Sequence, residues 1–234
     1  MRAFHDILPP QTRLRLRYAL NRVRRRFVPP PYRAVLPYTL IGLPRLRALV
    51  DLMGRLDSAG IQGDVVECGT CNGGSGALLA RCALGSPVPR TVYLLDSFAG
   101  LPVPGEVDGP GAREWAGQCR ASVATVRRAL RESGVPEGGV RLVEGWFQDT
   151  IPGLPVERIA LLHVDADWYE SVRLVLDRLY DKVVPGGFVV LDDYGYWSGC
   201  RRAVLEFLER RAPEVTPTEV DGISAWIRKP LPPR

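Results

Sequence analysis

Several things are missing from this chain of 234 residues, and each absence excludes a class. No apolar run approaches the ~18 residues that a membrane-spanning helix needs. The first ten residues lack the apolar core of a signal peptide, so the cytoplasm is the expected compartment. Lysine occurs only at Lys182 and Lys229, and no glycine-rich loop carries the lysine of a triphosphate-binding loop. There is no G-x-G-x-x-G fingerprint for a dinucleotide and no G-x-S-x-G nucleophile elbow. The five cysteines are an odd number without a second C-x-x-C, which argues against both a disulfide framework and a zinc site. Cys68 and Cys71 do form one C-x-x-C, but small residues of a glycine loop explain it better than redox chemistry. Histidine occurs only at His5 and His163; the second sits inside a strand-like run, where a structural role is expected.

Hydrophobic residues make up 46% of the sequence and charged residues 24%, ordinary for a globular chain. A chain of this length buries roughly 70% of its unfolded surface and needs no staple. Charge is unevenly spread. Residues 1–33 hold nine arginines against one acid, Asp6, a surplus of eight; the whole chain is +5, so the other 201 residues carry −3. The body is therefore not basic, and no nucleic-acid partner is expected. Residues 11–28 read as an amphipathic helix with Leu16, Leu20, Val23 and Phe27 on one face, stopped by Pro29-Pro30-Pro31. Such a helix fits either an anionic membrane surface or a partner subunit of a homo-oligomer. The expected division is a basic helix and proline linker at 1–43, then one domain at 44–234.

From residue 64 short apolar runs alternate with helical stretches. Strands are expected near Val65-Val66, 92–95, 140–143, 159–162 and 188–191, and helices over 44–59, 74–83, 120–133, 168–182 and 200–211. This rhythm predicts an α/β fold around a parallel sheet covered on both faces. Residues 214–220 and 223–229 read as a hairpin around Asp221-Gly222. The segment 99–118 is too long for a plain connection and reads as a lid.

Candidate chemistry falls at the ends of the strands. Glu67-Cys68-Gly69-Thr70-Cys71-Asn72-Gly73-Gly74-Ser75 is an acid followed by a glycine-rich turn that opens a helix, suited to a ligand with a carboxylate and an amine. Asp96 closes the next strand, where an acid binds ribose hydroxyls. Asp165 and Asp167 follow the fourth strand, and Asp192 and Asp193 the fifth. Carboxylates converging there repel one another unless a hard divalent cation, Mg²⁺ most naturally, lies among them. Asp167 with Glu170 also has capping-box spacing, which leaves a purely structural role open for it.

These stretches together carry a resemblance: GDVVECGTCNGGSGALLA at 63–80, LDSFAGLP at 95–102, VRLVEGWFQDTIP at 140–152, HVDADWYESV at 163–172 and VPGGFVVLDDYGYWSGCRRAV at 184–204. The chain resembles the macrocin O-methyltransferase (TylF/MycF/NovP-like) family of class I S-adenosylmethionine-dependent methyltransferases, over roughly residues 45–229. The resemblance implies a seven-stranded Rossmann-like sheet with one antiparallel strand. It implies S-adenosylmethionine over the glycine loop, with Glu67, Gly69, Thr70, Gly73, Gly74 and Ser75 at its methionine part. Asp96 and Ser97 would meet its ribose, Phe147 and Gln148 would border its adenine, and Asp165 would border it from the fourth strand. Mg²⁺ would be held by Asp165, Asp192 and Asp193, with Asp165 or Asp167 as catalytic residues. The implied acceptor is a sugar hydroxyl of a glycosylated metabolite, as in antibiotic biosynthesis. A catechol or phenolic acceptor is the alternative enzyme reading, and a non-enzymatic module binding lipid or RNA through the basic N-terminus the alternative of another class. Two departures stand out: catechol-type enzymes have a lysine where this chain has Trp168, and the loop at 70–72 is Thr-Cys-Asn rather than a bulkier stretch.

Overall fold

The computed structural model describes residues 8–136 and 138–231; Arg2, His5 and Asp6 of the basic segment lie outside them. Helices α1 (Pro10–Arg24), α2 (Tyr32–Val35) and α3 (Leu43–Ser58) precede the first strand. Strands β1 (Asp64–Cys68), β2 (Val92–Asp96), β3 (Arg141–Glu144), β4 (Ile159–Val164), β5 (Val183–Leu191), β6 (Thr218–Glu219) and β7 (Ala225–Arg228) form one sheet. Between them lie α4 (Gly74–Leu84), α5 (Val123–Glu132), α6 (Phe147–Thr150), α7 (Tyr169–Leu179) and α8 (Ser198–Arg211).

The strand order is β3-β2-β1-β4-β5-β7-β6. Strands β1 to β5 run parallel, and β7 is antiparallel to both β5 and β6. The strands are continuous apolar runs because both faces are covered. All six residues of β4 are buried. One face packs Val66, Leu162 and Val189 against α7 and α8; the other packs Val65, Leu94 and Leu161 against α3, α4 and α5. Small residues at the start of α4 let it lie close to the sheet: a Cβ on Gly76 would meet Leu94 and the Glu67 carboxylate.

The expected hairpin is present, but its first strand is only two residues, because Pro217 and the exposed stretch before it offer nothing to the sheet. The segment 99–118 is ordered by short 3₁₀ turns at Glu106–Asp108 and Pro110–Trp115. Its base is closed by Leu101 N–H donating to Gln118 O and Gly117 N–H to Leu101 O, each at 2.8 Å. Pivotal to its position is Asp108, buried at 3% exposure, whose Oδ1 accepts the Tyr169 N–H at 2.7 Å at the start of α7.

The order of strands reverses between β1 and β4, so the crevice beyond their carboxyl ends is the place for a ligand. Gly69 makes the crevice possible. Its φ of +100° suits glycine, and a Cβ there would run into the Asp165 carbonyl. Deep packing under this crevice sets the stability of the fold. Leu94→Ala, at a position with no exposure, is expected to lower the unfolding free energy by about 2–5 kcal/mol. Urea denaturation would read this as a shifted midpoint at unchanged slope; an unshifted midpoint would mean that this layer contributes little.

Candidate active site

A cleft of about 1320 Å³ opens over the carboxyl ends of β1, β2, β4 and β5. Gly69, Thr70, Ser75, Asp96, Ser97, Phe147, Gln148 and Asp165 line it, as do Asp167, Asp192 and Asp193. Glu67, Gly73 and Gly74 do not; they stand behind the loop and shape it. Gly73 reverses the chain in the left-handed region (φ +88°) as the N-cap of α4. Glu67 is fully buried and pairs with His163 Nδ1 through Oε1 at 3.0 Å.

Asp96 braces the glycine loop. Its Oδ2 accepts the Cys71 N–H at 2.7 Å and its Oδ1 the Phe98 N–H at 2.6 Å. Burial pushes its carboxyl above the usual range, against the pull of those two N–H donors. The C-x-x-C does not pair internally. Cys68 is buried, and burial pushes its thiol up. Cys71 Sγ instead lies 3.4 Å from the Cys119 carbonyl and 3.7 Å from the Tyr18 hydroxyl of α1.

Asp165, Asp167 and Asp193 each bring one carboxylate oxygen within 4.8 Å of the others. Burial, then repulsion from neighbouring acids (Asp192 first for Asp165, Asp167 first for Asp193), pushes Asp165 and Asp193 well above the ordinary carboxylate range. Asp167 is pushed up to about 6 by burial, partly offset by a hydrogen bond from Trp197 Nε1 at 2.9 Å. Asp193 Oδ2 is buried without a hydrogen-bond partner. The capping role left open for Asp167 goes elsewhere: the N-cap of α7 is Trp168, Asp167 is left-handed at φ +54°, and the Tyr169 N–H is taken by Asp108.

Asp192 lies outside this trio, although sequence spacing grouped it with Asp165 and Asp193. Its carboxylate is claimed by a cation: Oδ2 forms an ion pair with Arg45 of α3, and Oδ1 is 3.7 Å from His163 Nε2. Burial alone would raise Asp192, but Arg45 and His163 outweigh it and hold the carboxyl below its usual value. Burial alone would depress His163; the nearby carboxylate of Asp192 and the hydrogen-bonded one of Glu67 win and lift it to about 9. Arg45 Nε also reaches Asp221 of the hairpin at 3.3 Å. Sequence reasoning missed Arg45. The signal was available: it shares the inward stripe of α3 with Leu49, Leu52 and Leu56, at spacings of four, three and four.

Aromatic residues wall the cleft beside the acids. Trp197 meets Trp168 and Tyr196 edge-to-face, each at 4.8 Å between centroids, and Trp115 of the lid at 6.3 Å. Trp168 Nε1 donates to the Pro102 carbonyl at 2.9 Å, which ties the lid to the strand-end loop. Trp115 was expected from sequence in the segment that closes over the acceptor; Trp168 and Trp197 were not expected as site residues, because nothing in their spacing shows that their segments meet it.

The family profile of macrocin O-methyltransferase (TylF) matches residues 19–229. The chain belongs to that family. This O-methyltransferase is 36% identical over 199 residues to demethyldecarbamoylnovobiocin O-methyltransferase of Streptomyces niveus, covering 82% of this chain and 76% of that one. It is 35% identical over 201 residues to mycinamicin III 3''-O-methyltransferase of Micromonospora griseorubida, covering 82% and 78%. Among solved structures it is similar to the O-methyltransferase NovP, with a TM-score of 0.74, 32% identity and 83% of each chain covered. The match starts within α1, and Asn21 Nδ2 of that helix donates to the Thr39 carbonyl at 2.9 Å.

The buried ion pair of this methyltransferase yields a test. Arg45→Met strips the closer of two counter-charges from the buried Asp192 and leaves it only His163 at 3.7 Å, which is expected to cost about 3 kcal/mol. Chemical denaturation checks it. A loss below about 1 kcal/mol would show that Asp192 finds another partner or protonates at little cost.

Proposed function

We propose that this enzyme transfers a methyl group from S-adenosylmethionine to a sugar hydroxyl of a glycosylated small molecule, assisted by Mg²⁺. The observation that carries the reading is the cluster of Asp165, Asp167 and Asp193 with the orphaned Asp193 Oδ2. Three carboxylates that close, the buried Asp193 and the half-buried Asp165 and Asp167, with one Asp193 oxygen lacking a donor among the described residues, form a set of hard oxygen ligands suited to a divalent cation. Asp165 and Asp193 are assigned as its ligands, with Asp167 and Asp192 flanking them. The other half of the cleft suits the methyl donor. Ser75 lies in the first turn of α4, where a carboxylate finds free N–H groups, and Gly69 and Thr70 line the cleft from the loop before it. Asp96 and Ser97 are placed for ribose, and Phe147 and Gln148 for the adenine edge.

When bound, the sulfonium donor supplies an electrophilic methyl and the cation lowers the pKa of a hydroxyl beside it. The chain's own residues do the rest. The glycine loop and Asp96 fix one reactant, and the aromatic wall positions the other, which is the proximity contribution to the rate. Trp197 and Trp115, both half-buried, are available to the C–H face of a sugar ring, with the buried Trp168 packed edge-to-face behind Trp197. Asp167 takes the hydroxyl proton; Trp197 Nε1 fixes its Oδ1 while this happens. The lid, pinned through Asp108, keeps water from the cleft. The two relatives named above are by name O-methyltransferases of demethyldecarbamoylnovobiocin and of mycinamicin III, which supports a small-molecule acceptor.

Titration calorimetry with S-adenosylmethionine tests the donor site. Asp96→Ala is expected to weaken binding roughly tenfold or more; undiminished affinity would remove Asp96 from it. The cation is tested by mass-detected methylation of a deoxysugar glycoside against a catechol. Chelator, or Asp193→Asn, is expected to lower turnover on the order of 100-fold with the glycoside preferred. Full activity in chelator would end the metal reading, and preference for catechol would end the sugar reading.

A further inference from the structure

Helix α1 is mounted the wrong way round for a helix that merely covers a core. Its polar side faces the protein. Asn21 is buried against Thr39, Tyr18 approaches Cys71, and Arg17 and Tyr18 line the cleft. Its apolar stripe faces out. Leu16 is 43% exposed, Leu20 41%, Val23 60% and Phe27, in the 3₁₀ turn that continues the helix, 84%. Amphipathic surface helices ordinarily turn such a stripe inward.

The charges around the stripe specify what covers it. Residues 8–33 contain eight arginines and no acid. Arg15, Arg22, Arg24, Arg25 and Arg26 form no ion pair with a carboxylate among the described residues. At about 100° per residue, Arg15, Arg22 and Arg26 run along one side of the stripe and Arg24 along the other. A two-fold contact between copies through this stripe would press two such cationic surfaces together, which repel. A nucleic acid would use the guanidiniums and leave the leucine, valine and phenylalanine ridge without a role. A bilayer with anionic headgroups uses both, since apolar side chains enter the acyl boundary while guanidiniums meet phosphates.

We propose that α1 and the turn after it dock this enzyme on an anionic membrane surface, with Leu16, Leu20, Val23 and Phe27 inserted. Because α1 also forms a wall of the cleft, docking holds the cleft beside the lipid surface. The inference rests on the exposed stripe and its charges, and stands whether or not the acceptor is a sugar.

The test is flotation of the full-length protein with vesicles of phosphatidylglycerol and phosphatidylcholine, against phosphatidylcholine alone. Partitioning into the anionic vesicles is expected to be higher by roughly tenfold or more and to fall with added salt. The exposed-site variant Val23→Asp/Phe27→Asp is expected to lose it while keeping its circular dichroism spectrum and its methyl-donor affinity. The charge variant Arg24→Gln/Arg25→Gln/Arg26→Gln, altered without touching the ridge, is expected to weaken it as well. Equal partitioning into both vesicles, no partitioning, or binding retained in the aspartate variant would overturn the proposal. So would a drop in oligomer size in that variant by light scattering, since the stripe would then be a subunit contact, or displacement from vesicles by RNA with the ridge variant still bound to RNA.

Discussion

The site depends on how buried negative charge is divided at the ends of β4 and β5. Five acids, Glu67, Asp165, Asp167, Asp192 and Asp193, stand close together where water is scarce. An isolated charge there is costly unless paired. The fold settles part of this with its own cations. Arg45 takes Asp192 and Asp221, and His163, held protonated at about 9, sits between Glu67 and Asp192. What remains is the trio of Asp165, Asp167 and Asp193, all pushed up by burial first and by repulsion from neighbouring acids, Asp192 among them, second. No ion pair reaches the trio among the described residues, and that is the basis on which a cation is proposed there.

This division links the body to the elements around it. Arg45 comes from α3, before the first strand of the sheet, and Asp221 from the hairpin after α8. A helix that precedes the sheet and a turn that follows it are thus joined by charge across the strand ends. The lid is joined to the same place by Asp108 and Trp168. Three segments far apart in sequence meet over one row of carboxylates, and the aromatic wall is the result.

The alternation of apolar strands and helices was legible because parallel strands covered on both faces read as unbroken apolar runs, as Ile159 to Val164 shows. The antiparallel end was legible from Asp221-Gly222. Glycine-loop residues and strand-end acids were legible from position alone, since a crevice at the sheet's reversal collects whatever ends β1, β2, β4 and β5. The partners of those acids were not. Asp192 looks like Asp193 in sequence, and only the approach of Arg45 separates them. Asp167 looked like a helix cap, yet Asp108, 61 residues from Tyr169, accepts that N–H. Long-range charge and capping choices leave no periodic trace, so spacing could not show them. The outward stripe of α1 is the reverse case: its period was plain, but the direction it faces is set by Asn21 and Tyr18 on the other side.

The most direct measurement is crystallography of the protein soaked with Mn²⁺, using the anomalous signal of the metal. The account predicts one strong peak within coordinating distance of Asp165 and Asp193 (about 2.2 Å, close to the values for hard divalent ions). A peak elsewhere, or none with Asp193 Oδ2 bonded to a protein donor, would contradict it.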